Sequence, residues 1–470
     1  MSPGNRFFSP QPNVPGKGIV ASYGLAFWAL VVGIGVASGL GGALLMLLLH
    51  ALEHLAWGFH AGTFLDAVKR VSALHRILVL TGAGVLAAAG GLAIKRLRGF
   101  GGGEVSEALW LEDAHLSMGP SLGRGTLSIA IVAMGASLGR EAAPQLFSAA
   151  FASKLCERAG VPRWQRRLLV ACGAGAGMAA VYNVPLGGAL FALEVMLGTL
   201  TLPLVLPALG TSLIATAVAW IYLPTKPIYA IPTYSVTGGQ VAWAALVGPL
   251  AGLAAVGWVR LVALAHRNRP RGRGRIVAPI VALSALGAIA IAYPQLLGNG
   301  QDTVQLAVTG AIGAGVLAVL VVLKPLVTAA CLGSGAPGGL FTPTLTFGVL
   351  FGGLLGDAWS VLWPGAPGGS YALIGGAAVL AASMQGPLAA TVLTLELAHH
   401  TDALMVPLLL AVTGATAVAR LLGAPSIYSA RLGELSHAPR ATASAVDLRD
   451  IEEHLELDTR PPESERAQRR

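Results

Sequence analysis

The sequence carries little charge. Only 11% of its 470 residues are Asp, Glu, Lys or Arg, whereas 54% are hydrophobic and the mean hydropathy is +0.70. Because soluble domains usually carry about 25% charged residues, this composition excludes an ordinary soluble protein and predicts an integral membrane protein. A helix needs about 20 apolar residues to cross the hydrocarbon. Six runs almost free of charge are long enough: 19–53, 168–193, 195–225, 227–259, 325–356 and 358–395.

Cysteine is scarce as well. Cys156, Cys172 and Cys331 lie in or beside apolar runs at no spacing typical of a metal site. We therefore predict small buried side chains without a redox role, and we expect neither a metal nor a cofactor. The sequence also lacks the short segments of alternating hydrophobicity that are typical of outer-membrane barrels. An all-α membrane protein is predicted.

The formal net charge of +9 is unevenly distributed. A basic chain can bind nucleic acid, but here the cations cluster in short loops at 95–98, 154–167 and 267–275, whereas the loop at 223–240 has only Lys226. This asymmetry follows the positive-inside rule of polytopic proteins. It predicts a multi-pass protein of a plasma or inner membrane, with the basic loops and both termini in the cytoplasm. The partner is the lipid bilayer, and no nucleic acid is expected.

The chain repeats itself with a shift of about 200 residues. GAGAGMAAVYNVPLGGALFALE at 173–194 aligns with GGAAVLAASMQGPLAATVLTLE at 375–396, and GREAAP at 139–144 aligns with GGLFTP at 338–343. We predict a transmembrane domain at 19–434 with repeat halves at about 19–222 and 240–432. A cytoplasmic segment at 1–18, without a cleavable signal peptide, and a polar cytoplasmic tail at 435–470 flank it.

Glycine-rich breaks precede three apolar helices. They are GFGGG at 99–103, the glycine of GREAAP, and GSGAPGG at 333–339. Broken helices at matching places in two halves are typical of transporters, whose site lies at the repeat interface. Helix N-termini present unpaired N–H groups and a partial positive charge, and together these bind anions. Close helix packing alone explains most of the other glycines.

Arg140 and Glu141 stand side by side within an apolar stretch, MGASLGREAAPQLF at 134–147. An ionisable residue at membrane depth is costly and therefore points to function. A carboxylate and an anion are both stabilised at a helix start, so Glu141 can compete with the anion and act as a gate. The alternative is a fixed Arg140–Glu141 pair that caps the helix near the membrane interface.

Four stretches in the right order resemble the CLC family of chloride channels and proton-coupled chloride exchangers. GREAAP is similar to the family's G-(K/R)-E-G-P stretch, and GGLFTP fits G-x-F-x-P. YNVPLGGALFALEVM at 182–196 resembles N-x-P-x-x-G-x-x-F, and SIYS at 426–429 matches the place of an anion-coordinating tyrosine. The resemblance covers about 24–428. It implies a homodimer of subunits built from two inverted repeats with broken and re-entrant helices, each with its own anion path.

The resemblance also implies roles for single residues. Glu141 would be the gate, flanked by Arg140 and Ala142. The backbone N–H groups of Leu340 and Phe341 would hold a central chloride or similar monovalent anion. The hydroxyl of Tyr428 would lie beside this anion. Phe100 and Gly101, in the first glycine-rich stretch, would also contribute to the anion-binding site.

Three departures from the family pattern affect selectivity and proton coupling. Phe100 stands where the family has a serine whose hydroxyl touches the anion, which puts anion selectivity in question. Ala142-Ala143 replace Gly-Pro after the gate. Val195 stands where proton-coupled members usually carry an inner glutamate, with Glu194 just before it. Glu194 and Val195 therefore mark a candidate proton path, but the repeat of Glu194 as Glu396 equally suggests a structural carboxylate.

Several alternatives stay open at this point. Channel-like conduction and proton-coupled exchange are both compatible with the sequence. A fluoride exporter of the same family is an alternative, although that branch generally lacks the tyrosine at Tyr428. An integral membrane enzyme would need paired catalytic groups, and the His399-His400 pair beside Glu396 does not form a metal-binding HExxH pattern. A cation or amino-acid symporter is disfavoured by the scarcity of acids within the spans.

Overall fold

The computed structural model describes residues 23–58, 62–97, 104–399 and 402–432. Within these ranges the chain forms seventeen α-helices and no strand. Six of the described helices are long and apolar enough to cross a membrane: Leu25–Trp57, Ala73–Arg96, Leu202–Ala219, Gly238–Arg267, Ala314–Gly333 and Phe341–Leu362. The predicted all-α membrane fold is confirmed. The ends at 1–22 and 433–470 lie outside the described residues, so the domain boundaries and the tails stay predictions.

The first half contains nine helices among its described residues. They are α1 (Leu25–Trp57), α2 (Phe64–Arg70), α3 (Ala73–Arg96), α4 (Val105–Leu111), α5 (Met118–Ala133), α6 (Ala142–Ala159), α7 (Arg163–Tyr182), α8 (Pro185–Leu190) and α9 (Leu202–Ala219). The helix α8 begins at a proline, which is favoured at the first helical position, and it continues as a π-helix over Phe191–Leu197.

The second half contains eight helices among its described residues. They are α10 (Gly238–Arg267), α11 (Gly274–Ile289), α12 (Gln301–Val308), α13 (Ala314–Gly333), α14 (Phe341–Leu362), α15 (Gly368–Met384), α16 (Pro387–Ala398) and α17 (Met405–Leu421). Short 3₁₀ turns lie at Pro294–Leu296, Asp402–Leu404 and Ser429–Arg431.

Each half has the same packing pattern. The helix α1 packs on α7 and α9, and its counterpart α10 packs on α15 and α17. The pairs α5–α6 and α6–α7 correspond in the same way to α13–α14 and α14–α15. Among the helices of the described ranges, α2 alone has no counterpart in the other half. The repeat read from the sequence is therefore a repeat of structure.

Two glutamates join the halves in an antiparallel arrangement. The carboxylate of Glu194, near the end of the α8 segment, accepts the backbone N–H groups of Leu388 and Ala389 at 3.2 and 2.6 Å, at the start of α16. Glu396, near the end of α16, accepts those of Leu186 and Gly187 at 3.0 and 2.6 Å, at the start of α8. Since the start of each helix meets the end of the other, the two segments run in opposite directions, as inverted repeats require.

Glycines allow the closest helix contacts. A Cβ added to Gly352 of α14 would lie 2.6 Å from the carbonyl oxygen of Tyr371 and 2.7 Å from the Cα of Gly375, both on α15. Backbones approach this closely only where a side chain is absent, as is common between helices in membranes. The three cysteines are buried, as predicted, and their thiols are free.

Candidate functional site

The starts of α6 and α14 meet in the middle of the protein. Gly139 and Gly339 form an antiparallel bridge, in which each backbone N–H donates to the other's carbonyl oxygen at 2.7 and 2.8 Å. A Cβ at either glycine would overlap the carboxylate of Glu141. The glycines are therefore required by the side chain that lies against them, and the matched stretches of the two halves are brought into contact.

The carboxylate of Glu141 occupies the start of α14. Glu141 is only 1% exposed and directly precedes α6. Its Oε1 accepts the backbone N–H of Phe341 at 2.7 Å. Its Oε2 accepts the hydroxyl of Tyr182 at 3.2 Å and that of Thr342 at 3.3 Å. An anionic group thus sits at a helix N-terminus, where the backbone favours negative charge.

Tyr182 and Thr342 are site residues that the sequence reasoning missed. Their hydroxyl oxygens lie 2.7 Å apart, so the two groups hold each other as well as the carboxylate of Glu141. Both were within reach of the sequence. Tyr182 directly precedes the Asn-Val-Pro stretch at 183–185, and Thr342 lies inside GGLFTP. A hydroxyl-bearing residue beside or inside a family motif was the signal that could have identified both.

Arg140 turns away from Glu141. Its guanidinium carbon lies 5.2 Å from the centre of the Tyr182 ring, within the range of a cation–π contact. Its Nε is buried without a hydrogen-bond partner among the described residues. Arg140 lines a cavity of about 260 Å³ together with Glu53 and Asp302. In the described part of the chain no ion pair joins Arg140 to Glu141, so the fixed capping pair is not what the structure contains.

A second cavity, which we call the central cavity, begins at Glu141 on the other side. Its volume is about 60 Å³, roughly the space of two water molecules. Three predicted site residues line it besides Glu141, namely Ala142, Leu340 and Tyr428. The ring of Tyr428 packs edge-on against Phe191, with centroids 5.7 Å apart, which fixes its position at the wall. The cavity is therefore bordered by the starts of α4, α6 and α14.

Hydroxyl and cationic groups complete the central cavity. The hydroxyls of Ser106 and Ser128 line it and are buried without a partner among the described residues. Arg124, Arg269 and Arg431 line it as well. A small cavity with unpaired hydroxyls, helix starts and cations can take a monovalent anion.

An ion pair lies in the wall of the central cavity. Arg431 Nη1 lies 2.6 Å from Glu104 Oε1, and the two side chains are 7% and 19% exposed. Glu104 directly follows the stretch that holds Phe100 and Gly101, and this stretch lies outside the described residues. The roles expected for Phe100 and Gly101 therefore stay predictions.

Residues 83–420 match the family described as "Voltage gated chloride channel". The chain belongs to the CLC family. Membership excludes the membrane enzyme and the symporter as alternatives, because the family consists of channels and transporters for anions.

The match to CLC proteins extends over most of the chain. A ClcB-like protein of Ralstonia nicotianae is 35% identical over 401 residues, which cover 81% of this chain and 91% of the relative. A protein of Escherichia coli named voltage-gated ClC-type chloride channel ClcB is 32% identical over 416 residues, covering 85% of this chain and 96% of the relative.

Solved CLC structures share the fold. A slow cyanobacterial Cl⁻/H⁺ antiporter superposes with a TM-score of 0.77 at 20% identity, over 88% of this chain and 99% of that one. A CLC-type fluoride/proton antiporter superposes with a TM-score of 0.70 at 17% identity, over 86% and 97%. At these identities the likeness shows the architecture alone, and chloride and fluoride proteins share it.

The candidate proton-path residues lie beside the central cavity without lining it. Met196 is part of the cavity wall, whereas Glu194 and Val195 are not. Glu194 is engaged by the start of α16, and a side-chain methyl of Val195 packs against Gly386 just before that helix. In this structure both residues belong to the contact between α8 and α16.

Proposed function

We propose that the protein transports chloride across a plasma or inner membrane and that the Glu141 carboxylate gates the path. One observation carries this proposal: Glu141 Oε1 accepts the backbone N–H of Phe341 at 2.7 Å. That N–H was expected to hold the central anion. A carboxylate bound there stands in for a halide, so carboxylate and chloride compete for one donor.

Protonation of Glu141 releases the gate. A neutral carboxyl group loses the charge-assisted part of its hydrogen bonds, which are about twice as strong as neutral ones. The side chain then gives up the Phe341 N–H, and chloride takes its place between Leu340, Phe341 and the hydroxyl of Tyr428. Helix dipoles and hydroxyls, rather than a cationic side chain, are the direct ligands of the ion in this proposal. The ion is therefore held weakly enough to leave.

Ser106 and Ser128 supply hydroxyls along this path. Phe100 cannot donate the hydrogen bond that a serine gives in the family pattern. Two buried hydroxyls that have no partner among the described residues line the same cavity, and a buried hydroxyl without a partner is costly. An anion in the central cavity provides that partner, so we assign these serines to anion binding.

Glu194 is a structural carboxylate in this proposal. It accepts two backbone N–H groups in a manner that Glu396 repeats. Unlike Glu141, Glu194 does not line the central cavity, so its carboxylate is poorly placed to pass protons to the anion path. Proton transfer, if it is coupled to chloride, then runs through water, and channel-like conduction and exchange are distinguished by experiment.

We infer the homodimer and the cytoplasmic position of the basic loops from the family resemblance and the charge asymmetry. Light scattering of the purified protein tests the first inference, and a mass of one subunit plus detergent contradicts it. Labelling of a single cysteine placed at Arg158, in a chain whose native cysteines are replaced, tests the second. Labelling from outside intact cells contradicts it.

Anion efflux from liposomes tests the proposed function. Purified protein is reconstituted with chloride inside, valinomycin sets the voltage, and external pH is recorded with chloride. Chloride efflux with proton uptake indicates exchange, and efflux without a pH change indicates channel-like conduction. Fluoride efflux without chloride efflux would overturn the chloride assignment.

A further inference from the structure

A strongly basic cavity lies where α3, α5, α10 and α11 meet the loop before α14. Its volume is about 360 Å³. Six cationic side chains line it: Lys95, Arg124, Arg267, Arg269, Arg271 and Arg275. None of the described residues that line it is acidic. Like charges gathered in one cavity repel one another, so the cavity favours an anionic occupant.

The other wall of this basic cavity is apolar. It consists of small and aliphatic residues of α3, with Leu127 of α5 and Pro279 of α11: Ala87, Ala88, Gly91, Leu92 and Ile94. Leu92 is 41% exposed. The helix α3 is the least buried of the six candidate spans, so much of its surface faces lipid. A cationic rim above an apolar, lipid-facing wall matches a molecule with a charged head and a hydrocarbon chain.

We propose that the basic cavity binds an anionic phospholipid. Its headgroup phosphate lies against Lys95, Arg271 and Arg275, and an acyl chain follows α3. Basic pockets between transmembrane helices bind anionic headgroups in this way, and each Lys or Arg near the surface adds to the attraction. The three rim residues are exposed and are therefore available to a lipid.

The lipid would act on the anion path through a shared wall. Arg124, Arg269 and Pro337 line both the basic cavity and the central cavity. Arg269 Nε donates to the carbonyl oxygen of Leu332 at 3.2 Å. Burial lowers the pKa of Arg269 to about 10, so its guanidinium stays charged at neutral pH. A phosphate beside it reduces the positive potential that draws chloride into this end of the path.

Lipid retention by the full-length protein tests the site directly. Purified protein is incubated with phosphatidylglycerol or with phosphatidylcholine of the same chains, and bound lipid is measured by native mass spectrometry. The wild type should retain phosphatidylglycerol in preference to phosphatidylcholine. The variant K95Q/R271Q/R275Q should retain at most about one tenth as much phosphatidylglycerol as the wild type, because three headgroup contacts are lost.

The control is K154Q/R158Q/R163Q, which removes one lysine and two arginines from another basic loop. Lys154 pairs with Glu157 and Arg163 pairs with Asp113, all at exposed positions, so their loss should leave lipid retention unchanged. Equal retention by the rim variant and the wild type would overturn the proposal. Binding of inorganic phosphate or ATP without retention of phosphatidylglycerol would also overturn it in favour of a soluble anion.

Chloride flux provides the second readout. Adding phosphatidylglycerol to phosphatidylcholine liposomes should weaken the apparent chloride affinity on the basic face several-fold in the wild type and the control. The rim variant should not respond. If the rim variant has weaker chloride affinity while the wild type retains no lipid, the cations serve only to attract chloride, and the lipid site is wrong.

Discussion

Glu141, Glu194 and Glu396 each accept backbone N–H groups at the start of a helix from the opposite half, and they do so in two different ways. Glu194 and Glu396 form a symmetric pair, each with two N–H groups of the other half. Glu141 accepts one N–H, from Phe341, and two hydroxyls. In the repeat alignment the position of Glu141 corresponds to Leu340, so the second half has no matching carboxylate.

The two kinds of contact differ in what they border: the symmetric pair joins the halves, whereas Glu141 borders the central cavity. The symmetric pair joins α8 to α16, and neither member lines the central cavity. Glu141 lines that cavity, and its interactions have no symmetric equivalent. Duplication therefore supplies two similar helix starts that face each other. Only one of them carries a carboxylate, and this carboxylate, from Glu141, lies at the start of the other helix.

Replacement of Glu141 should have the largest effect on transport. In Glu141→Gln the charge is lost, and with it hydrogen bonding worth about 1.5–3 kcal/mol for a charged group. We expect the dependence of chloride flux on external pH to disappear and flux at high pH to rise about tenfold or more, since 1.36 kcal/mol is tenfold. Liposome flux across a pH series measures this. Wild-type pH dependence in the variant would remove Glu141 from the gate.

The symmetric pair should govern stability instead. Glu194→Ala and Glu396→Ala each leave two backbone N–H groups without their acceptor, and we expect each to lower the free energy of unfolding by about 1–3 kcal/mol. Thermal unfolding in detergent should show similar losses for both variants. The ratio of protons to chloride should not change in either. A change of that ratio in Glu194→Ala alone would instead support the proton path.

Removal of the Tyr182 hydroxyl should shift the gate without abolishing it. In Tyr182→Phe the carboxylate loses one of its three partners outside its own residue, and a hydrogen bond of about 1 kcal/mol corresponds to roughly fivefold. We expect flux at high pH to rise by about that factor, with pH dependence retained. Thr342→Val is the matched variant and should behave alike. Unchanged flux in both would show that the hydroxyls do not hold the gate.

The smallest effect should come from the first glycine-rich stretch. Phe100→Ser restores the hydroxyl of the family pattern, and one neutral hydrogen bond changes relative binding by about fivefold at most. We expect the ranking of chloride, bromide and nitrate flux to change while gating by pH persists. Tyr428→Phe, which removes a hydroxyl at the cavity wall, provides the comparison. An identical ranking in Phe100→Ser would place residue 100 away from the path.

The sequence predicted the architecture and the position of Glu141 at a helix start better than it predicted the side chains around Glu141. A single sequence is enough to identify the architecture, because each of its signals is a pattern of residue types along the chain. These signals are the charge-free runs, the internal repeat with its shift of about 200 residues, and the glycine-rich breaks. The partners of Glu141 are different, because Tyr182 and Thr342 reach it only when two distant helices meet at the Gly139–Gly339 bridge. The reciprocal contacts of Glu194 and Glu396 likewise depend on the antiparallel contact between the halves. The repeat suggested a structural role for these glutamates, but it did not identify the N–H groups that they accept.

The competition between carboxylate and anion for the start of α14 is the central claim, and bromide locates the anion most directly. Crystals of Glu141→Gln soaked in bromide would be measured at the bromine absorption edge, with wild-type crystals as the control. The account predicts an anomalous peak within hydrogen-bonding distance of the Phe341 nitrogen in the variant, and no such peak in the wild type. A bromide peak beside Phe341 while the Glu141 carboxylate also accepts that N–H, or no peak there in the variant, would contradict it.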